Sequence, residues 1–144
     1  MRFQGRLYKD GRFWLAEVPI LDAMTQGHTR REALDMAKDL IETLANRPDF
    51  SVQVHPGKHE DFEVSASDTR VMIGLLLRRQ RQRSGLSLAE AGARIGAKSP
   101  QAYARYERGA AAPTLEKLSE LLQAVSPGQE FVLHMVWRRM AIFL

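Results

Sequence analysis

Bulky apolar residues cluster in two short runs at the start of the chain, Phe3–Tyr8 and Phe13–Val18, separated by Lys9-Asp10-Gly11-Arg12. Asp-Gly between such runs predicts a β-hairpin, because glycine takes the positive φ of the turn at no steric cost. Pro19 cannot donate to a ladder and ends the second strand, and Ala23–Gln26, closed by Gly27, predicts a third. The period then becomes helical, with Ala33, Ala37, Leu40, Ile41 and Leu44 on one face. Thr29-Arg30-Arg31-Glu32 precedes them and predicts a capping box, in which the Thr29 hydroxyl and the Glu32 carboxylate each satisfy a backbone N–H. Asn46 and Pro48 end this helix. Phe50–Val54 and Phe62–Ala66 predict two more strands around the loop His55–His59, giving the order β-β-β-α-β-β.

Ser65–Thr69 is small and polar and marks a junction. Asp68 then caps an amphipathic helix with Val71, Leu75 and Leu76 inward, followed by Arg78, Arg79, Arg81 and Arg83 and stopped by Gly85. The next stretch, Leu86–Gly109, predicts two short helices around a tight turn. Ser87 caps the first, which runs to Ile95; Ala91 and Gly92 are small where the second helix must cross it, and Gly96 supplies the turn. Ser99 caps the second, with Pro100 at its first position. Tyr103 and Tyr106 face the core, so Gln101, Ala102 and Arg105 project outward. Another helix begins near Pro113-Thr114 and packs back through Leu115, Leu118, Leu121 and Leu122. The chain ends in a strand-like apolar run, Phe131–Trp137 continued by Arg138–Leu144, expected to complete a core or to pair with another subunit. The expected fold is α+β: an α/β domain over 1–66, an all-α helix-turn-helix domain over 67–128, and an apolar oligomerisation segment over 129–144.

Charge sharpens this division. Residues 1–66 hold 9 Lys/Arg and 11 Asp/Glu, whereas residues 67–144 hold 12 and 6, so the whole net charge of +4 comes from the second part. Such a basic block attracts polyanions by counterion release. On a helix lying in the major groove, Gln101 can contact adenine, Ala102 a thymine methyl, and Arg105 guanine or phosphate. Lys98 and Arg108 suit phosphates, which set register rather than sequence; Ser87 and Ser99 complete the candidate DNA-binding set. The absence of cysteine excludes disulfides, thiolate metal sites and a cysteine nucleophile. His28, His55, His59 and His134 lack zinc-like spacing and no glycine-rich phosphate loop is present, so neither metal nor cofactor is expected. No apolar run reaches the roughly 18 residues of a membrane span, and the start of the chain lacks a signal-peptide core, so a cytoplasmic protein is expected.

Two resemblances follow from these residues. Gly85–Ala97 together with Tyr103–Val125 resembles the Cro/cI-type (XRE) helix-turn-helix family, whose recognition helix ends in Arg-hydrophobic-Glu-Arg-Gly, as Arg105–Gly109 does. Pro and a Leu-rich helix follow there, matched by Pro113 and Leu115–Leu122, and Lys98 stands as one extra residue in the turn. The first part resembles the HicB antitoxin family through Gly11–Val18, Pro19–Gly27 and Thr29–Ala33, although His28 replaces a more usual acidic residue and 19–24 lacks a Pro-Gly turn. The resemblance implies a partial ribonuclease-H-like α/β domain, β-β-β-α-β in order, that neutralises a HicA-like mRNA-cleaving toxin. It thus implies the antitoxin of a type II toxin–antitoxin system that represses its own operon by binding operator DNA. The alternative is a stand-alone XRE-type regulator with a ligand-sensing N-terminal domain. Ribonuclease-H-like catalysis needs carboxylates converging on divalent metals. Asp10, Glu17, Asp22, Asp35 and Asp39 give no such pattern, Asp35 and Asp39 sharing what reads as a solvated face, so no enzyme is expected. One helix-turn-helix covers one half-site, so a homodimer or larger even assembly is expected, with no membrane partner.

Overall fold

The computed structural model describes residues 1–137. Five strands, β1 (Phe3–Asp10), β2 (Phe13–Val18), β3 (Ala23–Gly27), β4 (Val52–Pro56) and β5 (Asp61–Ala66), form one sheet in the order β3-β2-β1-β5-β4. Every ladder in it is antiparallel. Helix α1 (Arg30–Ala45) covers one face, where its Ala33, Ala37 and Ile41 join buried Phe3, Leu7, Ala16, Val18, Val52, Phe62 and Val64. The Thr29 hydroxyl accepts from the Glu32 N–H at 3.0 Å. The reciprocal half of the expected capping box is replaced: the Glu32 carboxylate instead meets His28 Nδ1 at 3.2 Å. Asn46 ends α1 with a left-handed φ of 50°.

The fourth strand begins two residues later than the apolar pattern predicts. Phe50 is buried but turns back, its N–H donating to the Arg47 carbonyl. Pairing starts at Val52, whose N–H donates to the Glu42 carboxylate at 3.0 Å. Against the opposing push of burial, that N–H and the Lys38 ammonium hold the Glu42 carboxyl below the usual carboxylate range.

Asp68 caps α2 (Thr69–Arg83) by accepting from the N–H groups of Arg70 and Val71. The helix does not bury a single stripe: Met72, Ile73, Gly74, Leu75, Leu76, Leu77 and Gln80 are all buried, while Val71 is only half-buried. Apolar residues all around a helix mean partners on every side. Here β5, α1 and the 3₁₀ turn Pro19–Leu21 pack against α2 from the sheet unit, and α4 (Pro100–Glu107) and α5 (Leu115–Val125) pack from the helical unit. Polar contacts follow the same path. Arg79 Nε donates to the Leu21 carbonyl at 3.0 Å and its Nη2 to the Asp22 carbonyl at 2.6 Å. Gln80 Nε2 donates to the Ile20 carbonyl at 2.8 Å and Gln80 Oε1 accepts from the Ser126 hydroxyl at 3.2 Å, so the buried amide is engaged at both ends. One hydrophobic core therefore runs from Phe3 to Val125.

Two expectations about the end of the chain are corrected. Leu115 shares the stripe of Leu118, Leu121 and Leu122 by spacing but, as the first residue of α5, is 72 % exposed, while α2 and α3 (Leu88–Arg94) pack against that helix. Residues 129–137 form no strand: no edge of the sheet pairs with them, Phe131 alone packs on the core, and Val132, Leu133, Met135, Val136 and Trp137 are exposed. The expected continuation Arg138–Leu144 lies outside the described residues. Among the described residues no helix is long and apolar enough to cross a membrane.

Gly74 sets the closeness of α2 and α4. A Cβ there would stand 2.4 Å from the Glu107 carbonyl and 2.8 Å from that of Tyr106. These are backbone atoms that cannot swing aside, so Gly74→Ala should lower stability by about 1–3 kcal/mol through overpacking. Denaturant unfolding measures this, and an unchanged midpoint would contradict the packing described.

Candidate nucleic-acid interface

Helix α3 opens with a complete capping box. The Ser87 hydroxyl accepts from the Glu90 N–H at 3.0 Å and the Glu90 carboxylate accepts from the Ser87 N–H at 3.2 Å. The Ser87 N–H and hydroxyl hold the Glu90 carboxyl below its usual range. At the other end Gly96 takes φ 70°, its N–H donating to Ala93 and that of Ala97 to Gly92, the paired bonds of a Schellman turn. α4 then starts against α3: a Cβ on Gly92 would lie 3.4 Å from Pro100 Cα. Ser99 occupies the N-cap position of α4, but its hydroxyl makes no capping bond, contrary to expectation. The first turn instead rests on Pro100 at the first helical position and on the Ala102 N–H donating to the Ser99 carbonyl.

Tyr103 and Tyr106 are buried, so α4 presents Gln101 and Arg105 to solvent with Ala102 half-buried beside them. Lys98 and Ser99 are exposed just before the helix. The Arg105 guanidinium lies 5.1 Å from the Tyr106 ring centre and donates to its hydroxyl at 3.3 Å. Arg108 is exposed at the far end, as the C-cap. The structure thus places Lys98 and Ser99 just before α4, Gln101, Ala102 and Arg105 on it and Arg108 at its far end, about 12 Å from its first residue by helical rise, and commits the Ser87 hydroxyl to capping.

What holds α4 in place was not visible as a pattern. Arg81 meets Glu107 twice, Nε to Oε1 at 2.6 Å and Nη2 to Oε2 at 3.1 Å, and the Tyr103 hydroxyl donates to the same Oε1 at 2.9 Å. The Arg81 and Glu107 side chains are only 13 % and 7 % exposed. The hydrogen bond to Glu107 raises the Arg81 pKa, and burial, reinforced by the Glu107 carboxylate, pushes the Tyr103 phenol well above its usual value. The basic block of the second part is therefore divided. Arg78 donates to the Leu44 carbonyl, Arg79 to the 3₁₀ turn, Arg81 to Glu107, and Arg94 to the Ala124 carbonyl. Arg70, Arg83, Lys98, Arg105 and Arg108 are exposed, as is Arg94 despite its bond to Ala124. Only the spacing of Tyr103 and Glu107, four apart on the buried side of α4, hinted at the arrangement.

Among the described residues no three His, Cys, Asp or Glu side chains come together as metal ligands. Asp35 and Asp39 are exposed on α1, and His55 Nε2 lies 2.7 Å from the Ser65 hydroxyl. Residues 77–125, from the second half of α2 through α5, match the helix-turn-helix family of the Cro/cI type. No curated protein matches the chain. The chain thus carries a helix-turn-helix domain, a DNA-binding element, with α3 and α4 as its helix pair.

Removing one partner of a buried ion pair strands the other. Glu107→Gln should therefore cost about 3–5 kcal/mol of stability, measured by denaturant unfolding; a loss below about 1 kcal/mol contradicts a structural role for the pair. Tyr103 adds a pH dependence. The folded state keeps the phenolic proton beyond the pH of about 10 at which the unfolded chain releases it. Its contribution is whole below that pH and falls as pH rises further, so the wild-type melting temperature should drop above pH 10 more steeply than that of Tyr103→Phe.

Proposed function

We propose that this chain is a transcriptional repressor that binds its own operator through α4 and acts as the antitoxin of a type II toxin–antitoxin pair through its N-terminal unit. The observation that carries the DNA-binding part is the exposed edge Gln101-Ala102-Arg105 on a helix anchored from beneath by Arg81, Glu107 and Tyr103. Gln101 has the donors and acceptors for a bidentate contact to adenine, the Ala102 methyl suits thymine, and Arg105 suits guanine or phosphate. Lys98 and Arg108 flank the edge as phosphate contacts, and Ser87 and Ser99 stand at the starts of α3 and α4 for the same surface. The antitoxin part is supported by the resemblance of Gly11–Val18, Pro19–Gly27 and Thr29–Ala33 to the HicB family. The partner on this reading is a small HicA-like ribonuclease toxin. Because one chain offers one recognition helix, the repressor is a homodimer or larger even assembly on a palindromic site.

Gln101→Ala should weaken operator binding by about 1–3 kcal/mol and relax preference at one or two base pairs, whereas Lys98→Ala should weaken all sequences alike. Titration of labelled promoter DNA distinguishes the two, and a wild-type protein without salt-sensitive binding to that DNA overturns the reading. Co-expression with a toxin-sized neighbouring gene product should restore growth; failure to bind or neutralise it leaves a stand-alone regulator.

A further inference from the structure

The C-terminal end of α4 is bounded by the sheet unit as well as by the helix-turn-helix. Just past α1, Arg47 reaches across and donates from Nη2 to the carbonyl of Arg108. From α2, Arg78 donates to the Leu44 carbonyl. With Arg108 these guanidinium groups line a cleft of about 230 Å³, floored by Ala45, Val71 and Leu75. Glu107 is the acidic residue on its wall, and both of its carboxylate oxygens are engaged by Arg81 and Tyr103. Arg47 and Arg108 are exposed at its mouth, and Arg78 is half-buried. A guanidinium has five N–H donors, so the single carbonyl bonds recorded for Arg47 and Arg78 hold each group in place and leave it able to donate further.

Size and position decide what this cleft takes. Pockets for metabolite-sized ligands run to roughly 300–1,000 Å³ and are closed around the ligand; this one is smaller and opens at the end of the recognition helix. α4 is about 12 Å long, so with the Gln101–Arg105 edge turned to the bases, Lys98 and the cleft stand at its opposite ends, where backbone phosphates pass.

We infer that Arg47, which lies outside the helix-turn-helix, is part of the DNA-binding surface and with Arg108 grips a backbone phosphate at the C-terminal end of α4. This rests on the DNA-binding reading above. It makes the sheet unit a direct contributor to DNA affinity, and it means that a partner covering the end of α1 competes with DNA.

The test uses the full chain and its own promoter DNA, titrated by fluorescence anisotropy over a range of salt. Arg47→Gln should weaken binding about fivefold to tenfold near 0.1 M salt, equally on specific and unrelated DNA, and reduce the slope of log affinity against log salt by about 1. Arg47→Lys should keep the slope, and Arg12→Gln, a cation of the β1–β2 turn, should change neither quantity. Because the chain has no cysteine, Arg47→Cys also accepts a photo-crosslinker at a single place, which should join to DNA while one at Arg12→Cys should not. An unchanged slope for Arg47→Gln, or no crosslink from position 47, overturns the inference while salt-sensitive wild-type binding leaves the DNA-binding reading intact. A wild-type chain that does not bind DNA overturns both.

Discussion

Burial of α2 on all sides is the constraint on which the rest of the molecule depends. Met72, Ile73, Leu75, Leu76 and Leu77 each contribute roughly 1.5–3 kcal/mol when removed from water. That gain works against the conformational entropy lost when the helix is ordered. Neither the sheet unit nor the helix-turn-helix covers this surface alone, so each completes the other. The polar contacts add direction to that attraction: Arg79 and Gln80 fix the helix against the carbonyls of the 3₁₀ turn, and Ser126 closes the far side of the Gln80 amide.

From α2 the constraint passes to the functional surface. Gly74 admits the carbonyls at the end of α4, and Arg81 reaches Glu107 and through it Tyr103. A buried ion pair is weak evidence for net stability, because desolvation opposes the Coulomb attraction. Its geometric demand is stricter: a bidentate guanidinium–carboxylate contact allows few orientations of α4, and these fix which of its residues face solvent. The exposed side chains of α4, Gln101 and Arg105, are thus held in place by Arg81, Glu107 and Tyr103 behind them.

Local chemistry was legible in the sequence wherever one residue type satisfies a need of the backbone nearby. Asp-Gly at 10–11 marks the hairpin, Thr29, Asp68 and Ser87 cap their helices, Gly96 takes the left-handed turn, and Tyr103 and Tyr106 face inward as their spacing requires. What stayed hidden depends on partners distant in the chain. Arg79 and Arg81 read as exposed charge until Leu21, Asp22 and Glu107 are brought beside them. A stripe through Val71, Leu75 and Leu76 understates a helix that two units enclose. Leu115 has core spacing without a neighbour to cover it, and residues 131–137 have strand composition without an edge to pair with. Arg47, which carries no motif, acquires its place only because α1 ends beside α4.

Through α2 the two units become one body, so that what holds the sheet also holds α4. Differential scanning calorimetry of the full chain, alone and with bound promoter DNA, tests this most directly. A single transition is expected, whose calorimetric and van't Hoff enthalpies agree, and which moves upward as a whole when DNA is added. Two separable transitions, with only one of them shifted by DNA, would contradict it.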